Sequence, residues 1–478
     1  MNLRRTLLLA FTFVAAVQAM AGTGRIIIVN NDRPGVGFND PRAATPVGGN
    51  DGTTLGQQRL NVFNAAAATW SKLLDLKVDI VANATFSSID GCTETEAVLG
   101  QASPMTWQRD FTNAPMAKVW YPIALANNLA GKDLNGSGPE IFVQFNSDID
   151  LDNCLGKSSW YYGLDAQHGD DTDLYVVVLH ELAHGLGVSG TVRAPGFRDN
   201  LPAITDIHTF DTKAGTRWDQ MTDAQRQVSL TNTGNLVWDG DNVRSKIGQY
   251  LEPVTMLTIT EPSPVARNYD IGTAAFGPAA NASAFAGRVV RATDASNTDG
   301  ASTFDGCTAF TNAGAIKGNV AYIDRGNCTF VAKSRNAQAA GATAVIIADN
   351  KRETCQPPGM GGEAEDITIP VISIGTTDAE SIVPQLAGST EVRGMLRKDG
   401  SQLAGTSTQG YVRLYAPCTS SPGSSTHHFD IVASPNLLME PSINSDLSHG
   451  VDLTLYQLLD LGWTVPAKSG RPFLKRQK

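Results

Sequence analysis

Val178-Leu179-His180-Glu181-Leu182-Ala183-His184-Gly185-Leu186-Gly187 sets the pattern H-E-x-x-H inside an apolar run. The stretch Leu174 to Leu182 predicts a helix, with Asp171 to Asp173 offering capping oxygens before it and Gly185 and Gly187 standing where it should end. Residues four apart share one helix face, so His180 and His184 can offer ring nitrogens to one metal ion while Glu181 projects beside them. Zinc suits two imidazoles and brings the pKa of a bound water to about 7. Glu181 is then placed to take that proton as general base and return it to the amine of a broken peptide bond. With 7 His and 12 Glu among 478 residues, chance gives only about 0.003 such matches. The apolar run also predicts a buried helix, and a polar face carried inward needs a partner, which a metal supplies.

A catalytic zinc takes three protein ligands, and the metzincin pattern H-E-x-x-H-x-x-G-x-x-H would put the third at position 190. Gly187 fits the glycine of that pattern, but Gly190 has no ligand to give. The third ligand must come from His168, His208, His427, His428 or His449. Ser424-Ser425-Thr426-His427-His428-Phe429-Asp430, then Asn436-Leu437-Leu438-Met439-Glu440-Pro441, then Leu459-Asp460-Leu461-Gly462-Trp463 resemble the leishmanolysin group of metzincins. The resemblance rests on about 35 residues in the motif helix and two C-terminal blocks. It implies that His428, followed by an aromatic residue, is the third zinc ligand and that Met439, eleven residues on, forms the Met-turn beneath the metal. His427 is the competing ligand.

From Ser263 to Leu403 strands and helices alternate: Asn319 to Ile323, Ala344 to Ala348 and Ile367 to Ile374 as strands, Phe330 to Ala340 and Asp378 to Leu386 as helices. Gly318 to Phe330, Lys333 to Ala342 and Ile369 to Ile374 resemble a protease-associated (PA) domain. Such domains carry no catalytic residues, which implies either a role in substrate access or a structural insertion. Because it falls between His184 and His428, the unit reads as an insert in a catalytic domain, and an insert with its own core should be removable without loss of the metal.

Outside the insert, Arg25 to Asn30, Lys77 to Ala82 and Glu140 to Phe145 read as strands, and Leu60 to Leu74, Met221 to Val228 and Val451 to Leu461 as helices. Arg4 and Arg5, the apolar run Leu7 to Val17 and Ala19-Met20-Ala21 form a secretory signal too short to cross a bilayer, which needs about 20 helical residues. Six cysteines without a Cys-x-x-Cys pair then favour disulfides. Of 15 pairings, proximity suggests Cys92 with Cys154 and Cys307 with Cys328, leaving Cys355 with Cys418. Lys plus Arg number 37 against 47 acids, a balance that argues against nucleic acid as a partner. Asp148, Asp150 and Asp152 alternate as in a calcium loop, but Asn153 and Ser159 stand where an EF-hand needs Gly and Glu.

The expectation is an α+β chain: signal peptide 1–21, a zincin/metzincin catalytic domain in two parts (22–262 and 404–478) and an inserted α/β PA domain (263–403). The expected activity is that of a secreted zinc endopeptidase acting on proteins or peptides, without a stable membrane anchor, in the extracellular space or a Gram-negative periplasm. The rival readings are a zinc amidase on cell-wall peptides and a binding protein with an inactive zinc site. A carboxylate beside an open metal position has no use in a purely structural site, which argues against the last.

Overall fold

A computed structural model describes residues 22–466 apart from 95, 157, 191–195, 281–284, 297–301, 351–354, 363, 389 and 445. The expected signal peptide and the basic tail Lys475 to Lys478 lie outside the described residues.

At the core of the first part a four-stranded sheet packs against two helices. Ile26–Asn30, Ile80–Ser87 and Ile141–Asn146 run parallel, with Ile26 opposite Ile80 and Ala82 opposite Ile141. Gly100–Pro104 closes one edge antiparallel, with Ala102 opposite Val143. The long helix Leu55–Leu73 begins five residues before the expected start, because the Thr54 hydroxyl caps it by accepting the Gln57 N–H at 3.3 Å. Val62, Phe63, Ala66 and Trp70 form its buried stripe, and the Trp70 indole N–H donates to the Leu179 carbonyl at 3.1 Å, tying it to the motif helix. The second strand sits three residues later than the run Lys77 to Ala82 predicts: alternating burial starts at Ile80.

The motif helix, Leu174–Leu186, is buried along its whole length. Asp173 caps its start, accepting the Tyr175 N–H at 3.0 Å, and Gly187 ends it at φ 136°, a conformation that glycine adopts without strain. Gly185 does not end the helix, contrary to expectation. It lies in the last turn, where a Cβ would fall 2.2 Å from Ile141 Cγ2, so glycine there lets helix and sheet approach. The last helix among the described residues, Leu453–Leu461, is capped by Asp452, and Trp463 beyond it donates to the Leu186 carbonyl at 2.9 Å.

The insert is a mixed eight-stranded sheet with its own apolar core on both faces. Val320–Asp324, Ala344–Ala348 and Val371–Ile374 are parallel neighbours, flanked by helices Phe330–Ala339 and Thr376–Leu386. The run Ile367 to Ile374 is strand only from Val371. The sheet also takes in Pro253–Glu261, ten residues before the expected boundary, antiparallel to Val392–Leu403. The alternation of strands and helices begins only after this strand, which is why it places the boundary later. Pro253 faces Leu403, so the two ends of the insert meet. All three disulfides suggested by proximity and elimination form: Cys92–Cys154, Cys307–Cys328 and Cys355–Cys418.

Candidate metal centre

His180 and His184 project from the same face of the motif helix, and His428 arrives from the C-terminal part to meet them. The three Nε2 atoms lie 3.1 to 3.2 Å apart. Each Nδ1–H is spent on a backbone carbonyl: His180 on Leu438 at 2.7 Å, His184 on Val188 at 2.6 Å and His428 on Ser424 at 2.7 Å. Those bonds fix the tautomers, so three Nε2 lone pairs face one another with no hydrogen between them. Protons do not resolve the conflict, because burial drives the His180 pKa down to about 3, lowers that of His184 and holds that of His428 well below its ordinary value. A cation does. Donors 2.0 to 2.1 Å from a tetrahedral zinc lie about 3.3 Å apart, close to the spacing found, and zinc is the cofactor that this donor set supports.

Glu181 follows His180 on the motif helix and is buried, and burial alone pushes its pKa up to about 8. Gly100, on the antiparallel edge strand, is the residue that leaves it room: a Cβ there would sit 3.3 Å from Glu181 Oε1. Met439 is fully buried in a tight turn, with the Glu440 N–H donating to the Leu437 carbonyl at 3.1 Å. The preceding carbonyl, of Leu438, is the one that orients His180.

The other histidines are placed elsewhere. His427 lies over the main chain at Gly190, where a Cβ would fall 2.2 Å from its Nε2; the residue at the usual metzincin ligand position is thus kept small by this ring. His449 binds Asp173 at 2.7 Å and stacks on Tyr175, His208 stacks on Trp238, and His168 Nδ1 bonds the Asp171 carbonyl at 2.9 Å. Of the supposed calcium ligands, Asp150 is engaged by Arg59, Tyr162 and the Trp160 N–H.

Sequence reasoning missed Asp452. Its carboxylate accepts the Thr454 N–H at 3.0 Å as a helix cap and the Leu438 N–H at 2.6 Å, linking the last helix to the turn that holds His180. An aspartate before Leu453 is a capping signal, but nothing local indicates its second partner.

The fold and site therefore define a mixed α/β chain with a buried cluster of three histidines suited to zinc and an inserted unit. Residues 285–382 match the PA domain, which identifies that insert, and residues 49–221, a span that includes the motif helix, match the family described as SPBPB7E8-like. The chain is 37% identical over 97 residues to Signal peptide peptidase-like 2 of Arabidopsis thaliana, covering 19% of this chain and 17% of that protein. It is 34% identical over 89 residues to Aminopeptidase YwaD of Bacillus subtilis, covering 19% of each. With Vacuolar-sorting receptor 1 of Pisum sativum it shares 32% identity over 143 residues, 28% of this chain and 22% of that one. The chain thus spans about a fifth of the length of these relatives. A solved zinc aminopeptidase from Bacillus subtilis aligns at 22% identity with a TM-score of 0.21, over 38% of this chain and 40% of that one, a likeness too slight to bear on the site.

Proposed function

We propose that the chain is a secreted zinc endopeptidase of the leishmanolysin-like metzincin group, with His180, His184 and His428 as ligands, Glu181 as general base and Met439 in the Met-turn. The observation that carries the reading is the convergence of three buried imidazoles, two of them on the helix that also carries the buried Glu181. Bound there, zinc supplies Lewis acidity to a water molecule and to a substrate carbonyl. Glu181 then accepts a proton at its carboxylate as the water attacks and delivers it to the departing amine. A cation close by favours the ionised carboxyl, offsetting the burial that raises its pKa.

Protein substrates are supported by the edge strand Gly100–Pro104, which is paired on one side only within its sheet and passes Glu181 at Gly100. An extended peptide can add to such an edge with its main chain and continue past the site in both directions, which suits cleavage within a chain. Three disulfides fit an oxidising compartment, and among the described residues no helix is long and apolar enough to cross a membrane.

The test is metal analysis of the purified protein together with digestion of casein and of purified cell wall, each with and without chelator. One zinc per chain and chelator-sensitive cleavage of casein are expected. Cleavage of cell wall but not casein would replace the endopeptidase by an amidase, and activity untouched by complete zinc removal would refute both.

A further inference from the structure

His428 lies on a stretch with little regular structure of its own: among the described residues no helix or strand falls between Arg413 and Leu453. Side chains on loops are held less precisely than those on helices, so a metal ligand here needs support that His180 and His184 obtain from their helix. Part of that support comes from the neighbouring chain. The Tyr415 N–H donates to the His428 carbonyl at 2.9 Å, the Thr426 N–H to the Tyr415 carbonyl at 2.8 Å and the Asp430 N–H to the Arg413 carbonyl at 3.0 Å.

Further support comes from the insert. The Cys355–Cys418 disulfide fastens it to the chain ten residues before His428. Two residues after His428, the buried Asp430 accepts a hydrogen bond from Gln356 Nε2, itself buried, at 2.7 Å. Arg413, backbone partner of Asp430, donates to Asp270 of the insert at 2.6 Å. Cys355 and Gln356 are seated on the insert's sheet, because Gly375, at the end of the strand Val371–Ile374, lets the Cys355 carbonyl come within 2.4 Å of where a Cβ would stand.

We propose that the inserted domain positions the third metal ligand, with Gln356 and the Cys355–Cys418 disulfide acting through Asp430 and Cys418 to hold His428 against His180 and His184. Gln356 is a positioning residue, since it touches no ligand and works through Asp430. The inference rests on reading the three-histidine cluster as a zinc site, and it runs against the expectation that the insert can be removed without loss of the metal.

The test uses the full-length oxidised chain, with zinc affinity read by competition against a chelator and ligand arrangement read from the visible spectrum of the cobalt-loaded protein. Gln356→Ala and the pair Cys355→Ser/Cys418→Ser should each bind zinc about tenfold or more weakly and shift the cobalt bands. The pair Cys307→Ser/Cys328→Ser, which opens a disulfide within the insert, should match the wild type in both. If the Cys355/Cys418 variant does not fold, Gln356→Ala decides alone. Wild-type affinity and spectrum in Gln356→Ala overturn the proposal, and so does equal weakening in Gln356→Ala and the Cys307/Cys328 control, which would mean general loosening of the insert. Failure of the underlying reading looks different: the wild-type chain itself takes up no zinc.

Discussion

At the scale of single residues, the centre depends on three tautomers fixed by three carbonyls. Removing one imidazole leaves two ligands, whereas removing its neighbour removes none. His428→Ala should therefore weaken zinc binding by well over the 10- to 100-fold or so that follows loss of a hydrogen bond to a ligand, and His427→Ala by much less. Chelator competition on both variants checks this, and a reversal of the two would mean that the register read from the C-terminal block is off by one. His180, Glu181 and His184 were legible in the sequence because helical spacing alone brings them together. His428 was not legible that way: it lies 244 residues from His184, and only the family resemblance of its flanking residues pointed to it. The carbonyls of Leu438, Val188 and Ser424 left no side-chain signal at all.

At the scale of elements, the motif helix is set by contacts along its whole length rather than by its caps alone. Gly185→Ala would drive a Cβ into Ile141, and overpacking of this kind costs about 1 to 3 kcal/mol. Denaturant unfolding of the variant should show that loss, and unchanged stability would mean that the helix can move off the sheet freely. Asp452→Ala tests a longer chain of contacts. It should cost roughly 1 kcal/mol as a lost helix cap and, by freeing the turn at Leu438, also weaken zinc binding. A variant with the stability loss but wild-type zinc affinity would limit Asp452 to capping. Apolar periodicity located most of the longer helices, with errors of a few residues where a cap such as Thr54 lay outside the apolar pattern, but it gave no sign of the buried helix Ile123–Ala130. A glycine near a helix end signals a terminus, whereas the reason for Gly185 is close packing against Ile141, which only the three-dimensional structure shows.

At the scale of the whole molecule, the PA domain is stitched into the chain at its meeting ends and again through Cys355–Cys418. The PA resemblance was legible in the sequence, but the cross-links that join this domain to the His428 segment depend on tertiary contacts that no local pattern encodes. Zinc should stabilise the entire chain, since it binds the folded cluster and relieves three opposed lone pairs. Free zinc at 1,000 times its Kd should raise the unfolding free energy by about 4 kcal/mol, and equal stability with and without chelator would contradict a bound metal. Casein hydrolysis by zinc-loaded Glu181→Gln isolates the proton transfer from the metal. The variant should hold one zinc per chain, as the wild type does, with turnover reduced by roughly 10²- to 10⁴-fold because no carboxylate remains to carry the proton. Wild-type turnover in a zinc-loaded Glu181→Gln protein would contradict this role of Glu181.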